Sequence, residues 1–340
     1  MRIKGIEMLE EVLSEPSQGV IETIGRLEGD IIVLGAGGKM GPTLARMAKR
    51  ASEAAGANKR IIAVSRFSSS DEEAKLNAAG IETIRCDLLD REGLEKLPDV
   101  QNVVYMAGMK FGSTGKEPLT WAMNSYLAGM VCEKYRSSRI AAFSTGNIYG
   151  LTPITSGGSL ETDTLRPEGE YAMSCMGRER IFQHFSLSFG TRVALIRLNY
   201  AVELRYGVLV DMARRVWNGE AIDVTMGNFN AIWQGDANAM TLMALEKAAS
   251  PAFVLNVAGP EIMSVRRVAE QFGEMMGKTP CLCGEEASDA LISNGQLGHS
   301  LFGYPRVSAL NMMKWIVDWV MNGGENIGKP THFETRDGKF

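Results

Sequence analysis

Histidine and cysteine are scarce in these 340 residues, three of the first and five of the second. Only Cys281 and Cys283 lie close together, and no usual metal-ligand spacing appears, so no metal site is expected. Five cysteines in so long a chain do not make a disulfide framework either. An excess of basic charge is also missing: 36 Lys and Arg stand against 40 Asp and Glu, a formal net charge of −4. Such a balance offers no field for a phosphate backbone, so nucleic acid is not an expected partner. Nowhere do eighteen apolar residues run together, which argues against a membrane span. The N-terminus, "MRIKGIEMLEEVLSEPSQGVIETIGRLEGD", mixes acids with apolar residues and has no apolar leader core. The cytoplasm is the expected compartment.

What is present is ordinary globular material, 45% hydrophobic and 22% charged, enough for a sizeable core. From residue 30 onward, short apolar runs alternate with helical stretches. "DIIVLGAGG", "KRIIAVSRF", "IETIRCDLL", "VQNVVYMAG", "RIAAFSTGN" and "RVALIRLNY" read as buried strands, rich in Val and Ile and closed by Gly, Ser, Asp or Asn. Segments such as "GPTLARMAKRASEAAG" and "PLTWAMNSYLAGMVCEKY" are long enough to be crossover helices. This rhythm predicts an α/β fold with a doubly wound parallel sheet, whose sites lie at the carboxyl ends of the strands. After residue 200 the pattern loosens into four helical stretches and one more strand, "AFVLNVAG", in a smaller C-terminal lobe. The polar ending "NIGKPTHFETRDGKF" reads as a frayed terminus.

"IIVLGAGGKMGPTLARMA" carries Gly35, Gly38 and Gly41 in G-x-x-G-x-x-G spacing, with Gly37 beside them. A strand precedes this turn and a helical pattern follows it. Glycine lets the backbone approach a pyrophosphate closely, and the helix start offers free N–H groups to it. The turn, Lys39 and Met40 included, therefore predicts a dinucleotide site, and with it a Rossmann domain over 30–198. Residues 1–29 form a helical extension and 199–340 mainly the C-terminal lobe, with a strand that can return to the sheet. At the end of the second strand Ser65 stands where an acid would hold a ribose 2′-hydroxyl, and Arg66 follows. A guanidinium can pair with a 2′-phosphate, so NADP is preferred to NAD, with Arg66 as a plain surface charge the competing reading. Asp87 and Leu88, closing the third strand, are expected to face the adenine.

Several segments in order, "GAGGKMG", "MAGMKFG", "STGNIYG", "LETDTLRPEGEYAMSCMGRE" and "FVLNVAGPEIMSVRRVAE", resemble the extended short-chain dehydrogenase/reductases, the NAD-dependent epimerase/dehydratase family. The resemblance implies that Tyr171 exchanges a proton with a substrate hydroxyl or carbonyl while Thr145 supports it. Ser144 is its neighbour, read as structural. It implies cofactor contacts from Ala107, Gly108, Lys110, Asn124 and Asn199, with Tyr200 beside the nicotinamide. Asp236 matches an acidic position read as a helix cap, and Arg205 and Trp233 are candidate substrate contacts. The resemblance further implies a sugar-like substrate with a secondary alcohol or ketone, and a homodimer through the helices around 119–136 and 171–188.

One departure stands out. Where the family carries a lysine four residues after the tyrosine, this chain has Cys175. A free phenol ionises near pH 10, so at neutral pH only about a thousandth is tyrosinate. Lys110 is the preferred compensating cation. Arg178 is read as a solvated surface residue, because its rise along the helix from Tyr171 is about 10 Å. The second reading of the chain is therefore a dinucleotide-binding sensor or regulatory protein that kept the fold without turnover.

Overall fold

In a computed structural model, which describes residues 2–68, 70–110 and 115–338, the six expected strands all form. They are β1 (Ile31–Leu34), β2 (Ile61–Ser65), β3 (Glu82–Arg85), β4 (Asn102–Tyr105), β5 (Arg139–Thr145) and β6 (Arg192–Leu198). A seventh, β7 (Phe253–Val257), returns from the C-terminal part of the chain to the sheet edge. The order is β7-β6-β5-β4-β1-β2-β3, with every neighbouring pair parallel. The direction of winding reverses between β1 and β4, which opens a crevice at their carboxyl ends.

Both faces of the sheet are covered, which explains why the strands read as continuous apolar runs rather than alternating ones. Ile31 and Val33 of β1 point into one core, while Ile32 and Leu34 point into the other. The first core is closed by the helices Gln18–Arg26, Gly41–Ala54 and Gln234–Ala244. The second is closed by Leu127–Lys134 and by the long helix Gly169–Phe189. A third core lies in the C-terminal lobe, between the helices Val208–Asn218, Val265–Met276 and Ala309–Met321.

The N-terminal extension forms two helices, Gly5–Leu13 and Gln18–Arg26. Leu9 and Leu13, one turn apart and fully buried, dock the first into the core of the C-terminal lobe. Burial of each is worth about 2 kcal/mol. Val20 and Ile24 dock the second against the sheet. The extension thus joins both halves of the molecule. Among the described residues, no helix is long and apolar enough to cross a membrane.

The C-terminal segment is packed, contrary to the fraying its composition suggests. Ile327 donates its N–H to the Arg205 carbonyl, and Thr331 donates through both N and Oγ1 to Asp211 Oδ2 at 2.7 and 2.6 Å. Phe333 is buried, Glu334 pairs with Arg215 at 2.8 Å, and Arg336 pairs with Asp289. Gly338 lies against the backbone of Glu168 and Gly169, where the long helix begins. The segment therefore crosses from the C-terminal lobe to the sheet domain, and Thr331 becomes part of the wall of the central cavity.

Candidate active site

The turn after β1 is as tight as its glycines require. Gly35 has φ +90°, and a Cβ there would lie 2.7 Å from the backbone N of Ala107. A Cβ on Gly37 would lie 2.5 Å from Ser65 Oγ, and one on Gly41 would penetrate the carbonyl of Ala36. Gly38 is less confined, with its nearest neighbour, the Gly35 carbonyl oxygen, at 3.4 Å. Helix Gly41–Ala54 starts directly after, with Pro42 in its first turn, where a missing N–H costs nothing. These are the features a pyrophosphate needs: a cradle without side chains, and a helix start behind it. Gly41→Ala is expected to cost about 1–3 kcal/mol of stability and to abolish dinucleotide binding, because backbone has to move. Gly38→Ala should keep the fold and most of the affinity. Thermal melts with and without dinucleotide check both.

A cavity of about 260 Å³ opens at the carboxyl ends of β1, β4, β5 and β6. Of the residues singled out from the sequence, it gathers Lys39, Met40, Gly108, Lys110, Thr145, Tyr171 and Asn199. Gly37 and Gly38 line an adjoining cleft on the outer side of the turn. Ser65 contacts Gly37, whereas Arg66 projects into solvent with a 75% exposed side chain, 3.9 Å from Asp87. Leu88 is buried in the core beneath the sheet. Ala107 packs under Gly35.

Asn124 is the organiser of the β4 end. It accepts from Met109 N at 2.8 Å and donates to Met109 O and Ser174 Oγ, both at 2.9 Å. It thus ties the loop after β4 to the tyrosine helix. Asn124 sits in a single π turn, Ala122–Tyr126, which interrupts the expected crossover helix. Such turns misalign one rung of the ladder and release a carbonyl for other use.

Tyr171 is in the first turn of helix Gly169–Phe189, half-buried in the cavity wall, with the side chains of Thr145 and Cys175 near enough to act on its phenol. Thr145, the last residue of β5, donates to Asn147 Oδ1 at 2.9 Å. The neighbouring Ser144 hydroxyl is buried in the cavity wall without a hydrogen-bond partner among the described residues. Lys110 Nζ lies 5.5 Å from the centre of the Tyr171 ring. Lys39 Nζ lies over the ring of Tyr206, 2.9 Å from its centre. Asn199 donates to Asn230 Oδ1 at 2.6 Å, which fixes it at the end of β6.

Among the described residues the cavity is lined by Lys39, Lys110 and Arg178 and by no carboxylate, with Asp211 and Glu203 acting on Lys39 from outside its wall. Burial pushes Lys110 down to about 8, and Cys175 partly opposes the shift. Burial, then repulsion from Lys110 and Lys329, pushes Lys39 down to about 7. The Tyr171 phenol is raised well above its ordinary value, first by burial and then by Cys175; the Arg178 charge and the Thr145 hydroxyl act against this. Burial likewise raises the Cys175 thiol.

Four expectations need correction. Arg178 is not a surface residue: it is 5% exposed and lies inside the site. It shares one helix face with Tyr171 and Cys175, at positions i, i+4 and i+7, and its side chain leans back toward the helix start. Trp233 is buried in the core of the C-terminal lobe, so it offers no substrate contact. Arg205 is held by Glu203 at 3.0 Å and lines the adjoining cleft rather than the cavity. Asp236 caps no helix; it is buried and accepts from Arg306 Nε at 3.2 Å and Val307 N at 3.0 Å, pinning the loop before helix Ala309–Met321. Tyr206 and Thr331 line the cavity without having carried any motif in the sequence.

The model of the NAD dependent epimerase/dehydratase family matches residues 31–252. No curated protein sequence matches the chain. Among solved structures, the UDP-glucose 4-epimerase of Thermotoga maritima, in complex with UDP-glucose, is 18% identical with a TM-score of 0.71, covering 86% of this chain and 99% of that one. The UDP-glucuronic acid 4-epimerase of Bacillus cereus, in complex with NAD, is 16% identical with the same score and coverage. The dTDP-glucose 4,6-dehydratase of Bacillus anthracis, also with NAD, is 17% identical with a TM-score of 0.71, covering 86% and 97%. At such identities the likeness shows a shared fold.

Proposed function

The chain belongs to the NAD-dependent epimerase/dehydratase family, and on that premise we propose that it is an enzyme that binds a nicotinamide dinucleotide and moves hydride to or from a secondary alcohol or ketone carbon of a nucleotide-sugar. The observation that carries this reading is the meeting of Tyr171 and Thr145 in one cavity with the lysines of the β1 and β4 ends. A bound nicotinamide supplies the donor or acceptor of hydride. The oxygen on the reacting carbon then has to gain or lose a proton, and a phenol in the same cavity wall as a threonine hydroxyl is placed to exchange it. Lys39 and Lys110 balance the charge of phosphates. The similar epimerase and dehydratase structures hold NAD or UDP-sugars, which supports the substrate class. Incubation of the protein and dinucleotide with a panel of UDP- and dTDP-sugars, read by NMR of the sugar carbons, tests it. Unchanged sugars across the panel, with dinucleotide bound, would favour the non-catalytic sensor instead.

Cofactor choice rests on the end of β2. Ser65 presents no carboxylate to a 2′-phosphate, and the Arg66 guanidinium is accessible, with Asp87 the acid beside it. We therefore read NADP as the tighter ligand. Arg66→Ala is expected to weaken NADP about fivefold and to leave NAD unchanged, since an exposed charge-assisted pair is worth about 1 kcal/mol. Equilibrium titration of both dinucleotides decides it, and equal NADP affinity in variant and parent overturns the clamp. The exposed Tyr126, Leu187 and Phe189 on helices Leu127–Lys134 and Gly169–Phe189, or flanking them, support a homodimer through these helices. Sedimentation velocity of Leu187→Asp, expected to run as a monomer, checks that surface.

A further inference from the structure

Arg178 is a buried cation that forms no ion pair among the described residues. Its Nε donates to the Asn124 carbonyl at 3.0 Å, Nη1 to the Phe143 carbonyl at 2.8 Å and Nη2 to Asn124 Oδ1 at 2.7 Å. Each acceptor is neutral. The adjacent acid, Glu179, is itself buried and taken by Arg197 at 2.8 Å. Buried charges are costly and are ordinarily paired, so one held only by carbonyls calls for an explanation.

The surroundings are shaped to hold it there. The π turn at Ala122–Tyr126 presents the Asn124 carbonyl to Nε. Gly108 leaves the room for the guanidinium, since a Cβ there would lie 2.5 Å from Nη2 and 2.9 Å from Asn124 Oδ1. The Phe143 carbonyl belongs to β5, two residues before Thr145. The charge therefore lies in the wall of the cavity that Tyr171 also lines, on the helix face shared by Tyr171 and Cys175, and is fixed there by acceptors from the π turn and β5. Resting on the acid/base reading of Tyr171, we propose that Arg178 is a positioning residue whose unpaired charge stabilises the Tyr171 oxygen as its proton leaves, the duty Cys175 cannot perform.

Among the described residues, charged and titratable groups face Tyr171 from its own helix, from β4 and its loop, and from the end of β5. Cys175 shares its helix, Thr145 ends β5, Lys110 approaches from the β4 loop and Arg178 lies one turn beyond Cys175; Tyr105, on β4, packs with its ring centre 5.6 Å from the guanidinium. Cys175 opposes ionisation of the phenol and Thr145 assists it. Of the two cations, Lys110 loses its proton near pH 8, whereas a guanidinium keeps its charge throughout the working range. A steady field on the phenol therefore comes from Arg178.

The test reads the phenol directly and needs no substrate. A ring-fluorinated tyrosine placed at position 171, whose phenol ionises at accessible pH, is titrated by its fluorine resonance. In Arg178→Met the midpoint is expected to rise by about one unit or more. In the double variant Arg178→Met/Cys175→Lys it is expected to fall back, because a cation is restored one turn nearer. Gly108→Ala, which leaves the arginine in the chain but takes its space, should also raise the midpoint, and it serves if Arg178→Met does not fold. An unmoved midpoint in a folded Arg178→Met or Gly108→Ala protein overturns the proposal. Turnover by Tyr171→Phe is a separate readout, so failure of the acid/base reading and failure of the Arg178 role are told apart.

Discussion

Tyr171→Phe is expected to lower turnover by a factor of about 10² to 10⁴, the range that a positioned proton donor or acceptor supplies. The substitution is structurally mild. Phenylalanine fills the same volume, and Thr145 retains its bond to Asn147 when the phenol oxygen is gone. Dinucleotide affinity should therefore change little while the rate collapses. The wild-type rate should also have a high alkaline limb, because burial and Cys175 hold the phenol protonated well beyond the ordinary tyrosine range. Cys175→Lys should shift that limb downward, by adding a charge that favours the ionised phenol. Steady-state rates over pH, measured on parent and both variants, check the set. Undiminished turnover by Tyr171→Phe would remove the residue from the chemistry.

Dinucleotide binding is expected to weaken as pH rises from about 7 to about 9. In the free protein, burial and the repulsion of Lys110 and Lys329 hold Lys39 at about 7, and burial holds Lys110 at about 8. Pairing with a phosphate favours the charged form of each amine, so binding raises both values. The sign follows: below about pH 7 both amines are already protonated and affinity is greatest. Above it the complex must take up a proton that the free protein has lost, and the dissociation constant grows by up to about tenfold per pH unit for each proton taken up. Lys39→Met should weaken binding at pH 6 and flatten the first part of this rise, leaving the part centred on Lys110. Calorimetry in two buffers of different ionisation enthalpy reads the proton uptake directly. A dissociation constant that is flat from pH 6 to 9 would mean that neither lysine faces a phosphate.

The sheet was open to reading from composition alone, because strands covered on both faces are apolar at every position and end in small turn residues. The glycine turn was equally plain, since its constraint is local: Gly35, Gly37 and Gly41 each meet a neighbour within a few residues or across one strand. The tyrosine and its hydroxyl partner were readable because they lie at element ends, where position in the chain sets position in the crevice. Arg178 is hard to place from sequence for a physical reason. Axial rise along a helix overstates the distance, because a long side chain leans back along its face, and its acceptors come from β5 and a π turn that no local pattern announces. The i, i+4, i+7 relation of Tyr171, Cys175 and Arg178 was the signal available. Trp233 and the C-terminal segment failed in the opposite way. Tryptophan suggested a ligand contact where the lobe needed bulk, and polar composition hid a segment whose partners, Asp211, Arg215 and Asp289, lie far away in the chain.

The central claim, that this cavity runs hydride transfer with Tyr171 exchanging the proton, is tested most directly by rapid mixing. Protein saturated with oxidised dinucleotide is mixed with each nucleotide-sugar of the panel, and the near-ultraviolet absorbance of reduced nicotinamide is followed. The account predicts that at least one sugar produces the reduced signal with the parent protein, and that Tyr171→Phe, with the dinucleotide equally bound, produces it at least about a hundredfold more slowly. Reduction at the parental rate in Tyr171→Phe would contradict it, as would a dinucleotide that stays oxidised with every sugar.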